Sequence, residues 1–144
     1  MDRQDTIRLL RECDAGVKMG ISSIDDVLDK VSNRRMKEQL TACRSDHDAL
    51  NGEIRQELDA YGDEGKDPNP MAKSMSWIKT NVEMILDSSD NTIADLMIGG
   101  CDMGVKSLSR YLNQYKAADS RSKALAKKLI VLEEQLSKDM RDYL

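Results

Sequence analysis

The sequence is poor in aromatic residues, with no phenylalanine, one tryptophan and four tyrosines among its 144 residues. A core made from this chain therefore has to consist of aliphatic side chains and the nine methionines. The only prolines, Pro68 and Pro70, stand close together and leave long stretches on either side free of helix breakers. Strand-like alternation of apolar and polar residues is also lacking. These features predict a single all-α domain, long enough to bury a core.

Other absences disfavour whole classes of function. Basic residues number 22 against 26 acidic ones, and this balance argues against a dedicated nucleic-acid binder. No run of about 20 apolar residues could span a membrane, and the polar start gives no secretory signal. Three widely spaced cysteines form no disulfide framework, so we expect a cytoplasmic protein with reduced thiols. No phosphate-binding loop, nucleophile elbow or catalytic triad is visible, and we do not expect an enzyme.

The most informative feature is an internal repeat. The segment Cys-Asp-Ala-Gly-Val-Lys at 13–18 recurs as Cys-Asp-Met-Gly-Val-Lys at 101–106. Each copy lies in a long helical pattern that is followed by a second one, which predicts antiparallel hairpins at 5–61 and 90–143. A loop and a short crossover helix are predicted between them, at 62–88. Since one hairpin cannot bury its apolar face alone, the two hairpins are expected to form a four-helix bundle.

Apolar residues recur at steps of three and four, the spacing of one helix face. This spacing predicts helices at 5–31, 34–61, 71–86, 91–117 and 121–143. Asn33 and Asp119 are expected to cap the helices that follow them. Two polar residues interrupt the apolar faces: Asp14 in the first helix and His47, the only histidine, in the second.

The layout resembles the ferritin-like four-helix bundles, and among them the small bacterial ferritin-like domains of unknown function. Metal-binding bundles of this kind place a Glu on the first helix of each half and Glu-x-x-His on the second. By the resemblance, the first-helix positions hold Val17 and Val105, and the second-helix positions hold Arg44 with His47 and Glu133 with Leu136. Only His47 and Glu133 keep a ligand type. The resemblance therefore implies a degenerate di-iron site.

His47 has two interpretations. It is either a remnant ligand for iron or zinc with Glu133, helped by Asp14 or Asp102, or a buried neutral imidazole hydrogen-bonded to a facing carboxylate or hydroxyl. We favour the second interpretation, because one His and one Glu make a poor metal site.

Asp14 and Asp102 are repeat mates that also allow two interpretations. Paired carboxylates can do acid–base chemistry, yet each has a lysine four residues later, so half-exposed salt-bridged residues are favoured. Cys13 and Cys101 suggest a zinc site with Cys43 and His47. However, antiparallel first helices would separate these two thiols by about 12 Å along the bundle axis.

No motif identifies the function, which stays unknown from sequence. We favour a non-catalytic ferritin-like bundle that acts as a structural or protein-interaction module. A residual iron- or peroxide-handling protein that uses His47 and Glu133 is one alternative, and a carrier of an apolar ligand near Val17 and Val105 is another. A homodimer and an unidentified protein partner both remain open. The crossover segment, with Met71, Met75, Met84 and Trp77, is one candidate surface for a partner.

Overall fold

The computed structural model describes residues 2–67 and 89–144. Within them the chain forms α1 (Arg3–Leu28), α2 (Arg34–Ala60), α3 (Asp90–Gln114) and α4 (Ser120–Met140), and a short 3-10 turn (Arg141–Tyr143) follows. These four helices pack as a bundle of two antiparallel hairpins, which confirms the predicted all-α architecture. The predicted crossover helix at 71–86 lies outside the described residues.

The core consists of two clusters of buried side chains, one toward each end of the bundle. The first joins the end of α1, the start of α2, the start of α3 and the end of α4, and includes Ile24, Met36, Leu40, Met97 and Met140. The second joins the opposite ends of the same helices and includes Leu9, Ile54, Leu58, Leu108 and Leu125. Hence α1 and α4 run in one direction and α2 and α3 in the other. The end of α2 and the start of α3 lie at opposite ends of the bundle.

Side-chain caps set several helix boundaries close to the predicted ones. The Asn33 side chain accepts a hydrogen bond from the Met36 backbone N–H, and Asp119 accepts one from Ser122. The first helix ends at Leu28, three residues before the predicted boundary, because the chain turns and Lys30 N–H bonds to the Val27 carbonyl. Val31 is still buried against the first cluster beyond the helix end, so its place in the apolar pattern was no guide to the boundary.

The start of each hairpin is hydrogen-bonded to the turn of the other hairpin. Asp90, at the start of α3, accepts from the backbone N–H groups of Ser32 and Asn33 at 2.8 Å each. At the other end Thr6 Oγ1 accepts from Asp119 N–H at 2.9 Å, and the Asp5 carboxylate accepts from the N–H of residue 117 at 3.2 Å. These bonds fix the two hairpins against each other and keep the turn amides paired.

None of the four described helices is both long and apolar enough to cross a lipid bilayer.

Candidate functional site

Two charged side chains lie buried together at the middle of the bundle. His47 on α2 is fully buried, Glu133 on α4 is 8% exposed, and His47 Nε2 lies 2.9 Å from Glu133 Oε1. The structure therefore brings together His47 and Glu133, the two residues that have a metal-ligand type at the positions matched to those of ferritin-like bundles. Burying a carboxylate is costly unless it is paired, and this contact supplies the partner.

The neighbours of His47 determine its charge. Its Nδ1 lies 2.8 Å from the Cys43 carbonyl oxygen, which can only accept, while Nε2 faces the Glu133 carboxylate. With the carboxylate ionised, acceptors face both ring nitrogens, and this arrangement favours the imidazolium form. Burial lowers the pKa of His47, but hydrogen bonds to Cys43 and Glu133 outweigh it and raise the pKa to about 10. The expected burial and hydrogen bond to a facing carboxylate are present, whereas the acceptors at both nitrogens disfavour the neutral ring that we expected.

Glycine makes room for this pair. A Cβ atom at Gly20 on α1 would lie 2.7 Å from His47 Cδ2 and Nε2 and 3.3 Å from Glu133 Oε1. A Cβ at Gly104 on α3 would lie 3.5 Å from Glu133 Oε2. Gly20 was not among the expected site residues. The sequence does carry a signal, because the repeat mate of Gly20 is Leu108, a departure from the repeat at the level of the ion pair.

Two thiols border the ion pair. Cys43 Sγ lies 3.5 Å from His47 Nδ1, and the buried Cys101 thiol faces Glu133. Burial, together with the negative charge of Glu133, raises the pKa of Cys101. Cys13 belongs to the other core cluster, where burial raises its pKa to about 12. The separation of Cys13 from Cys101 agrees with the antiparallel direction of α1 and α3.

The other positions matched to di-metal ligands hold residues whose side chains do not coordinate metal ions. The Arg44 side chain binds Asp25 on α1, with Nε and Oδ1 2.6 Å apart, and also binds Asp48. Val17 and Leu136 are buried in opposite core clusters. Within residues 2–67 and 89–144, no three His, Cys, Asp or Glu side chains are arranged to hold a metal ion.

Asp14 forms a separate buried site on α1. It is fully buried, and it accepts hydrogen bonds from Lys18 Nζ at 2.9 Å, from Asn51 Nδ2 at 3.2 Å and from the Lys66 backbone N–H at 3.0 Å. Gly65, with a φ of 86°, brings the loop after α2 against this carboxylate. The Lys18 pair was expected and is present, but Asp14 is not half-exposed, because the loop covers it.

Asp102, the repeat mate of Asp14, has a different environment. It is exposed and accepts a hydrogen bond from Ser137 Oγ at 3.2 Å. The expected pair between Asp102 and Lys106 is not formed within the described part of the chain. Neither aspartate bonds to His47, so the structure does not unite the four candidate residues in one site.

Val105 also differs from its mate Val17. It is half-buried and lines an open groove of about 530 Å³ on the outer side of α3 and α4, whereas Val17 is fully buried. The two valines proposed for an apolar ligand pocket thus lie in unlike surroundings.

Among known proteins, a solved structure shares the fold of this chain. No family model matches the chain, and no curated protein matches it. The chain is similar to the crystal structure of a conserved hypothetical protein, Rv2844, from Mycobacterium tuberculosis, with a TM-score of 0.72 and 12% sequence identity over 100% of both chains. At this identity the likeness shows the four-helix fold alone.

Proposed function

We propose that this chain is a ferritin-like bundle without metal chemistry, which acts as a structural or protein-interaction module. The observation that carries the proposal is the contact between His47 and Glu133, whose nearest nitrogen and oxygen are 2.9 Å apart. A histidine ligand needs a free lone pair on one nitrogen, and here both nitrogens donate to protein acceptors. The two surviving ligand types are thus bound to each other.

The directions of the helices support the ferritin-like part of the proposal. The first helices of the two hairpins are antiparallel, and so are the second helices, as the memberships of the two core clusters require. In ferritin-like bundles a long connection joins two hairpins in the same way. A bundle with this layout whose ligand positions carry Val17, Arg44 and Leu136 has the scaffold of a metal-binding bundle without its ligands.

Metal content tests the proposal. The protein, purified without a His-tag or chelator, is incubated with Fe²⁺ or Zn²⁺, desalted and analysed by inductively coupled plasma mass spectrometry. We expect well under one equivalent of either metal, and the same result for His47→Gln. One equivalent in the wild type that is lost in His47→Gln would overturn the proposal and favour the metal-handling alternative.

A further inference from the structure

Resting on the interaction-module function, we propose that the outer face of α4 in the second hairpin binds the same face of a second copy of this chain, in a two-fold antiparallel dimer. The face is defined by Val131, Glu134 and Lys138 of α4 and by Arg141, which follows the last residue of the helix with helical backbone angles. These residues follow one another at steps of three, four and three. This spacing places them in one stripe along the helix. The stripe spans about 15 Å at 1.5 Å per residue.

The stripe borders the groove between α3 and α4. Val131 and the half-buried Val105 supply its apolar side chains, while Asp102, Lys106 and the charged residues of the stripe supply the polar ones. Val131 is 61% exposed. Among the described residues the large exposed hydrophobics are Met103, Val131 and Leu144, and all three belong to the second hairpin.

The charges of the stripe are unpaired within the described parts of the chain. There, each ion pair lies within the first hairpin and the loop that follows it or joins the two hairpins, and none joins two residues of the second hairpin. Glu134 and Lys138 are a helical turn apart and form no ion pair with each other. By contrast, Arg121 and Lys128, elsewhere on α4, both bind Glu53 of α2. Charges that have no partner among residues 2–67 and 89–144 are available to an oppositely charged partner.

The order of the charges along the stripe makes the stripe complementary to a second copy of itself, so we take a second copy of the chain as its partner. Along the stripe Glu134 precedes the basic residues Lys138 and Arg141. An antiparallel copy therefore places Glu134 opposite Lys138 of the partner subunit, and the two-fold axis generates the same pair a second time. The same axis places Val131 beside the aliphatic part of Arg141 of the partner subunit. A two-fold interface has to be self-complementary in this way. The matched positions of α2 carry no charge and hold Ala42, Ser45, Ala49 and Gly52.

Charge reversal and charge exchange test the pairing. The mass of the full chain is measured under reducing conditions by light scattering after gel filtration and by sedimentation equilibrium. Protein concentrations run from about 1 to about 200 µM, a range that brackets the Kd of a weak dimer. We expect the wild type to pass from the 16.2 kDa monomer to twice that mass as concentration rises. Glu134→Lys or Lys138→Glu alone should raise the dimer Kd about tenfold or more, because like charges then face each other.

The double variant Glu134→Lys/Lys138→Glu restores opposite charges across the axis, so its Kd should return close to the wild-type value. Lys37→Glu, an exposed change of the same charge on α2, should leave the Kd unchanged. A wild type that stays monomeric, or a double variant as weak as the single reversals, overturns the dimer. Neither result bears on metal content, so the proposed function is judged separately. Circular dichroism confirms that each variant is folded.

Discussion

At the residue scale, the buried pair depends on a residue without a side chain. Gly20 lies against both His47 and Glu133, and any Cβ there would approach the imidazole to 2.7 Å. Gly52 on α2 provides a control, since a Cβ there meets nothing within 4 Å. Both glycines lie within helices, so they differ in packing and share the same intrinsic helix propensity.

We therefore predict opposite effects for the same substitution at these two positions. Gly20→Ala should lower the free energy of unfolding by about 1–3 kcal/mol, since it overpacks the site. Gly52→Ala should raise it by up to about 1 kcal/mol, because alanine favours the helix. Urea denaturation of both variants and the wild type measures these changes. Stabilisation by Gly20→Ala would show that the pair has room to move.

The charge on His47 gives the stability of the bundle a specific pH dependence. The pKa of His47 is raised from 6.5 to about 10 in the folded protein. A raised pKa means that the folded state binds the proton more tightly than the unfolded state. The resulting stability is complete below pH 6.5 and is lost as the pH rises through about 10.

We predict that the wild type exceeds His47→Gln in unfolding free energy by most at about pH 6, and that this difference shrinks steadily toward pH 10. Denaturation of the two proteins side by side across this range isolates the buried pair of His47 and Glu133, since the two proteins differ only there. A difference that stays constant with pH would mean that the ring is not an imidazolium in the folded state.

At the scale of elements, Asp14 joins α1, α2 and the loop that follows α2. Lys18 donates to it from its own helix, Asn51 from α2 and the Lys66 amide from the loop. Lys66 also extends its ammonium to Glu12, so that the loop is bound to α1 at two points. Asp102 has the same place in the repeat and none of these partners.

Replacing each of the two aspartates by asparagine separates the local sequence from the environment. Asp14→Asn should cost about 2 kcal/mol or more, because it removes the acceptor charge from a buried network. It should also speed hydrogen exchange of the Lys66 amide. Asp102→Asn should change stability by no more than about 0.5 kcal/mol, as expected for an exposed residue. Equal costs at the two positions would contradict the role assigned to the loop.

At the scale of the whole molecule, periodicity and the repeat were sufficient to predict the four described helices and their pairing into hairpins. Asn33 and Asp119 cap as expected, and the apolar faces form the core. The end of α1 was misplaced, because Val31 stays buried beyond the helix and so continues the apolar pattern. Whether a residue belongs to the core and whether it is helical are separate properties, and periodicity reports the first.

The candidate site was predictable only in part. Sequence reasoning identified His47 and Glu133, but their charge state depends on Cys43 and on each other, which only the packed helices bring into position. The burial of Asp14 likewise depends on Gly65 and Lys66, more than 50 residues further along the chain. A repeat of six residues fixes local chemistry, whereas the neighbours that decide burial come from elsewhere.

The reciprocal bonds at the two turns have a consequence for folding. Asp90 pairs with amides 57 and 58 residues away, and Asp5 and Thr6 pair with amides 112 and 113 residues away. Neither hairpin completes its own turn, so a half-folded chain leaves polar groups unpaired at the open end. Long stretches of chain therefore have to come together before these four bonds form. The turn of each hairpin therefore gains its side-chain partners only when the two hairpins dock.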